Sequence, residues 1–195
     1  DSSKVLLQLG VESGKYFVVS IHREENVDNP TNLRTLVTTL NSVSKKYGLP
    51  VLFSVHPRTR LRLDELTEKL DPSITTLKPL GFADYVKLQR NSFCVLSDSG
   101  TITEEAAIVG FPAITARNTH ERPEGMEEAA VMLVGLSHER IVQALHVLDV
   151  EQRLEHCPQA VYDYHHPNVS LKIVRIIMSY TNFVNTYVWR KSGVH

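Results

Sequence analysis

The sequence predicts an α/β fold, a parallel sheet with helices on both faces, and three observations carry that prediction. Short apolar runs rich in β-branched and aromatic residues alternate with longer amphipathic stretches along most of the chain. The runs are nearly continuous rather than alternating apolar with polar, as strands covered on both faces are. The length, 195 residues with 42% hydrophobic and 22% charged, suits one sizeable α/β domain or two small ones.

Taken in order, "SKVLLQLG" reads as a short helix ahead of the first strand, "YFVVSI" (16–21). A helix follows over 31–47, with Pro30 at its start and Gly48 at its stop. The same alternation gives strand 51–55, helix 60–70, strand 74–77, helix 83–90, strand 93–97 and helix 102–109. Strand 112–116, helix 122–129, strand 130–134 and helix 138–148 complete it. Beyond residue 165 a long helical pattern carries Tyr180, Phe183, Tyr187 and Trp189. This tail, 169–190, needs an apolar surface to cover, on this domain or on another.

Composition excludes several classes. A net charge of −1 provides no global field to collect nucleic acid or an anionic membrane. No apolar stretch approaches the roughly 20 residues that span a bilayer, and the N-terminus lacks the basic-then-apolar layout of a secretory signal. Cys94 and Cys157 show no metal-ligand spacing, and Cys94, inside an apolar run, reads as a reduced core residue. His165 and His166 are adjacent and have no third ligand at suitable spacing, so no metal site is expected. A cytoplasmic location is the expectation.

Ligands of open parallel sheets gather outside the carboxyl ends of the strands. Four loops lie there: "HREENVDNP", "HPRTR", "DSGTITEE" and "RNTHERPEG". They bring His22, Arg23, His56, Arg58, Ser99, Arg117, His120 and Arg122 to one end of the sheet. Any one of these serves equally well as a cap or a solvated loop residue. Cationic or imidazole groups on all four loops point to an anionic ligand. At Ser99, Gly100 and Thr101 a helix begins, with unpaired N–H groups and the positive end of its dipole, which suits a phosphate. Glu104 and Glu105, one turn on, suit ribose hydroxyls; equally, they read as first-turn acids or as a capping box from Thr101 to Glu104. Arg122 offers a guanidinium for bidentate phosphate binding. His22, beside a phosphate, would be favoured in its charged form.

On the segments "HREENVDNP" (22–30), "HPRT" (56–59), "LSDSGTITEEA" (96–106), "GFP" (110–112) and "RNTHERPEG" (117–125), the chain resembles the non-hydrolysing UDP-N-acetylglucosamine 2-epimerases. The resemblance is to the C-terminal half of that family. It implies a Rossmann-like domain from a two-domain enzyme of the GT-B type, spanning 1–195 as the UDP-binding part, with the N-terminal domain outside this chain. It further implies elimination of UDP to a glycal and readdition with inversion at C2, without a nicotinamide or other cofactor. By position, Ser99, Gly100, Thr101 and Arg122 would hold the diphosphate, Glu105 the ribose, and Tyr85 would lie beside the uracil. His22 would assist the leaving group. Arg23 and His56 match positions of a second, regulatory UDP-sugar site in some bacterial members. The groups proposed for proton transfer at C2 belong to the absent half, so the chain alone is expected not to turn over. The tail resembles the branch forming UDP-N-acetyl-L-fucosamine, and around "YDYHHPNVS" the chain departs from the glycines of many members. Full-length members are commonly dimeric, which makes a homodimer an option for the longer protein. A GT-B glycosyltransferase donor domain and a non-catalytic nucleotide-sugar sensor are the alternatives.

Overall fold

The computed structural model describes residues 3–154 and 161–191; Cys157 lies outside them. Six strands form the sheet: β1 (Phe17–Ser20), β2 (Val51–Ser54), β3 (Ile74–Leu77), β4 (Cys94–Ser97), β5 (Ala113–Thr115) and β6 (Met132–Leu133). Their order is β3-β2-β1-β4-β5-β6, and every pairing is parallel. Each strand falls within a predicted run. β1 pairs with both β2 and β4, so the chain winds outward in one direction, then restarts in the other from β1.

Successive strand residues face opposite layers, and both layers are apolar. Phe17, Val19, Val51, Phe53 and Leu96 face one layer, together with α3 (Pro30–Tyr47) and α8 (His138–Arg153). Tyr16, Val18, Leu52 and Val95 face the other, with α1 (Val5–Leu9), α5 (Phe82–Arg90) and α6 (Ile102–Val109). Two-sided burial is the physical reason for the near-continuous apolar strands.

The helices depart from expectation in places. α4 runs Pro57–Glu65 rather than 60–70. It starts early because His56 is extended and Pro57 occupies the first turn, where a missing N–H costs nothing. It stops early because Leu66 turns extended, while Leu66 and Leu70 still pack on the core. α8 continues past 148 to Arg153, and α7 is Pro123–Glu127. Between β1 and α3 lies a further short helix, α2 (Glu24–Val27).

The chain divides into two compact units, 1–161 and 162–195. The second holds a 3-10 turn over Tyr162–His165, then α9 (Val169–Phe183) and a π-helical continuation, Val184–Val188. The long helical pattern is thus present. Leu171, Val174, Ile177 and Tyr180 are each 55–57% exposed.

Candidate functional site

The sheet's strand order reverses between β1 and β4, and their carboxyl ends lie side by side because Ser20 pairs with Ser97. In open α/β sheets this crevice is where ligands bind. Asp98, the next residue, is 2% exposed. Its carboxylate accepts from His22 N–H at 3.0 and 3.1 Å, Arg23 N–H at 2.9 Å and Asn26 Nδ2 at 2.9 Å. Arg23 is the N-cap of α2 and provides no side-chain cap of its own. Asp98 thus supplies from β4 the anionic acceptor that the start of α2 requires. One buried carboxylate fixes the His22 loop against the Ser99–Thr101 turn.

That turn opens α6. Ser97 Oγ accepts Ser99 N–H at 3.1 Å, and Ser99 Oγ accepts Thr101 N–H at 3.3 Å. Gly100 N–H has no protein acceptor among the described residues. The capping box from Thr101 to Glu104 does not form: no side chain caps the helix. Instead the Thr101 hydroxyl donates to Glu105 Oε1, and Gln89 Nε2 donates to Glu105 Oε2 at 2.9 Å. Gln89 is only 2% exposed, so Glu105 is held in one orientation. Glu104 instead pairs with Arg122 Nε, and its Oε2 is buried without a hydrogen-bond partner.

Arg117 closes the site from the end of β5. It is 7% exposed, and its Nη1 lies 3.4 Å from where a Cβ on Gly100 would stand. Arg122 reaches the same turn through Glu104, and its Nη1 donates to the Glu121 carbonyl at 3.0 Å. His120 Nδ1 accepts Arg122 N–H at 3.3 Å, which gives His120 a structural position in this loop.

His22 Nε2 lies 3.0 Å from Ser20 Oγ. Desolvation lowers the His22 pKa, the Asp98 charge opposes this, and His56 adds to the lowering. The two rings are 6.5 Å apart, centroid to centroid. Tyr85 is half-buried; burial raises its phenol pKa, and hydrogen bonding to Ser20 works against that. Ser20 therefore stands between Tyr85 and His22 at the tip of β1.

Arg23 and His56 fall on the β2 side of His22. With His22, Glu24, Glu25, Arg58 and Thr59 they line an open cleft of about 580 Å3. Arg23 contacts Glu25 at 3.4 Å. Arg58 pairs with Glu24 at 2.8 Å and with Asp28, so its charge is already matched by two carboxylates.

The fold therefore gathers Tyr85, Ser99, Gly100, Thr101, Glu105 and Arg122 around the ends of β1, β4 and β5, with His22 at the crevice and Arg23 and His56 beside it. Sequence reasoning missed Asp98, Gln89 and Ser20, and saw Arg117 only as one of several loop cations. Asp98 did carry a signal: an acid directly after the run Cys-Val-Leu-Ser, just before Ser-Gly, has little reason to be there unless donors surround it.

A parallel sheet in this order, with its polar loops gathered at the point of reversal, defines a Rossmann-like domain of the kind that GT-B enzymes pair across a cleft. The chain belongs to the UDP-N-acetylglucosamine 2-epimerase family, whose model matches residues 2–178. It is 38% identical over 137 residues to UDP-N-acetylglucosamine 2-epimerase of Methanocaldococcus jannaschii, covering 68% of this chain and 37% of that protein. It superposes on the structure of UDP-N-acetylglucosamine 2-epimerase from Rickettsia bellii with a TM-score of 0.80 and 38% identity, covering 97% of this chain and 51% of the other. The M. jannaschii enzyme in complex with UDP-GlcNAc and UDP superposes with a TM-score of 0.77 and 31% identity, over 92% and 49%. The chain spans about half the length of these solved relatives. Among the described residues no helix is long and apolar enough to cross a membrane.

Proposed function

We propose that the chain is the UDP-binding half of a UDP-2-acetamido-sugar 2-epimerase. The observation that carries this is the Ser99–Thr101 turn: an unpaired Gly100 N–H at the start of α6, flanked by Arg117 and by the Arg122–Glu104 pair. The family to which the chain belongs, and a relative bound to UDP-GlcNAc and UDP, support the same reading.

In this reading the diphosphate rests on the Gly100 amide and the Ser99 and Thr101 hydroxyls, where the helix dipole and two guanidinium groups favour negative charge. Glu105, held by Thr101 and Gln89, accepts from the ribose, and Tyr85 borders the uracil. The reaction removes the C2 proton and breaks the bond from C1 to the β-phosphate oxygen. A C1–C2 double bond forms, and UDP departs with the electron pair. Readdition after protonation at the opposite face of C2 gives the epimer. What this half contributes is stabilisation of charge gathering on the departing oxygen, by donors fixed in advance. His22, whose pKa desolvation lowers in the empty site, is drawn toward its charged form by the diphosphate and can then donate to it.

The base and acid at C2 are assigned to the other half of the longer protein, so this chain alone does not turn over. The sugar we assign is the 2-acetamido-2,6-dideoxy-L-talose type that leads to UDP-N-acetyl-L-fucosamine, on the resemblance of the tail. Arg23 and His56, which line the open cleft together with His22 and Arg58, are assigned to a second, regulatory UDP-sugar site on the resemblance to some bacterial members of the family. Calorimetric titration with UDP tests the central assignment. Arg122→Ala should weaken binding by about 1.5–3 kcal/mol, as expected for loss of a charge-assisted hydrogen bond. Unchanged affinity would remove Arg122 from the phosphate site, and epimerisation by the purified chain would overturn the division of labour.

A further inference from the structure

We propose that Arg117 is the fixed cation of the diphosphate site and that Glu121 is its internal counterion, displaced when the diphosphate arrives. This rests on the nucleotide reading above and deepens it by giving the site a built-in competitor for the anion.

Arg117 differs in kind from the other cationic loop residues. Arg23, Arg58 and Arg122 have side chains 39%, 48% and 35% exposed, whereas that of Arg117 is 7% exposed. A guanidinium cannot lose its proton at any ordinary pH, so burying it leaves a charge that must be matched. Among the described residues its side chain makes one polar contact, Nη2 to Glu121 Oε1 at 3.3 Å, and Glu121 is 74% exposed. A long contact to a solvated carboxylate is poor compensation for a charge so far removed from water.

The other face of the guanidinium is turned to the anion site. Nη1 lies 3.4 Å from the Cβ position of Gly100, whose own N–H is unpaired. Even a Cβ at residue 100 would touch this nitrogen, so the guanidinium lies directly against the turn.

The backbone of Arg117 is immobilised as well. Its carbonyl accepts Gly135 N–H at 3.1 Å, and Ala116 N–H donates to Ser97 at 2.9 Å. Gly135 has φ +64°, and the side chain of Asn118 fills the space its Cβ would need, with Oδ1 2.5 Å from that position. Arg117 is thus held between β4 and β6, a charge set in place before the ligand binds. Glu121, with its side chain 74% exposed, has room to turn into solvent; Arg117, at 7%, does not.

The roles separate in two variants. Arg117→Gln removes the cation; Glu121→Gln removes only its competitor, at an exposed position that folding tolerates. Titration calorimetry with UDP, and with uridine as the control lacking phosphate, reads both. Arg117→Gln should weaken UDP binding about tenfold or more, the loss of one charge-assisted contact. Glu121→Gln should tighten UDP binding about threefold while lowering the melting temperature without ligand, since the buried charge loses its partner. Uridine affinity should stay the same in both.

A merely structural ion pair would lower the melting temperature in Glu121→Gln without tightening UDP. That outcome, or UDP affinity in Arg117→Gln within about twofold of the unaltered chain, would overturn the assignment of Arg117 while leaving the nucleotide site standing. Should Arg117→Gln fail to fold, Glu121→Gln decides alone. An unaltered chain that binds neither UDP nor inorganic pyrophosphate would overturn the nucleotide reading and this role with it.

Discussion

Asp98→Asn is the substitution from which the structure predicts most for its size, since it changes one atom and a charge. The Asp98 Oδ2 atom accepts from three donors, His22 N–H, Arg23 N–H and Asn26 Nδ2, at 3.1, 2.9 and 2.9 Å. Asparagine retains one acceptor oxygen and places an NH2 group against the remaining donors. With its oxygen at the Oδ2 position the amide still reaches all three donors, but as a neutral acceptor, and its NH2 then stands at the Oδ1 position, 3.0 Å from His22 N–H, donor against donor. Exchanging three charge-assisted hydrogen bonds for neutral ones, at about 1 kcal/mol each, and adding one donor–donor contact, gives an expected loss of about 2–5 kcal/mol. Set against a typical stability of about 5–15 kcal/mol, the domain should still fold. Urea denaturation should show a lower midpoint with an unchanged slope. Amide exchange at His22 and Arg23 should accelerate first, because these N–H groups exchange a charged acceptor for a neutral one. A loss below about 0.5 kcal/mol, the range of an unremarkable surface change, would refute the view that Asp98 anchors the His22 loop.

Three further outcomes are expected of the same structure. His22 should titrate below its ordinary value of 6.5, because desolvation outweighs the Asp98 charge. Between its folded and unfolded values the unfolded chain then binds more protons; the associated stability is present above about pH 6.5 and is lost as pH falls through the folded value. An NMR titration with a midpoint at or above 6.5 would contradict this. Gly135→Ala should destabilise by about 1–3 kcal/mol, from strain at positive φ and the collision with Asn118, and a thermal melt matching the unaltered chain would count against it. Tyr16→Phe should cost about 1–2 kcal/mol, because the buried hydroxyl donates to the Leu88 carbonyl at 2.7 Å and its removal strands that acceptor; a neutral effect in denaturation would show the carbonyl finds another donor.

Much of the fold was legible because two-sided burial writes itself into a sequence. β1, β2 and β4 are apolar at almost every position, and nothing but a covered parallel strand makes that composition cheap at four residues. α3 was legible for local reasons: Asn29 caps it, Pro30 opens it and Gly48, at φ 63°, closes it. α4 was misplaced because Leu63, Leu66 and Leu70 keep a helical spacing, yet the last two reach the core from non-helical backbone. Periodicity records which residues face inward, not which backbone carries them there.

The site divides the same way. Loops at the carboxyl ends of strands could be located from the strands alone, which is why Ser99, Gly100 and Arg122 could be placed at this end of the sheet. Asp98 and Gln89 could not be given roles, since their work depends on partners 72–76 and 16 residues away. The Thr101–Glu104 capping box was a sound local expectation that lost to tertiary competition. Arg122 takes Glu104, and Thr101 turns to Glu105.

The central claim is that a diphosphate sits on the turn from Ser99 to Thr101. A crystal structure of the chain with UDP tests it most directly. The account predicts phosphate oxygens within hydrogen-bond distance of Gly100 N–H and the Ser99 hydroxyl, with the Arg117 guanidinium facing them. A diphosphate bound elsewhere, with Gly100 N–H facing solvent, would contradict it.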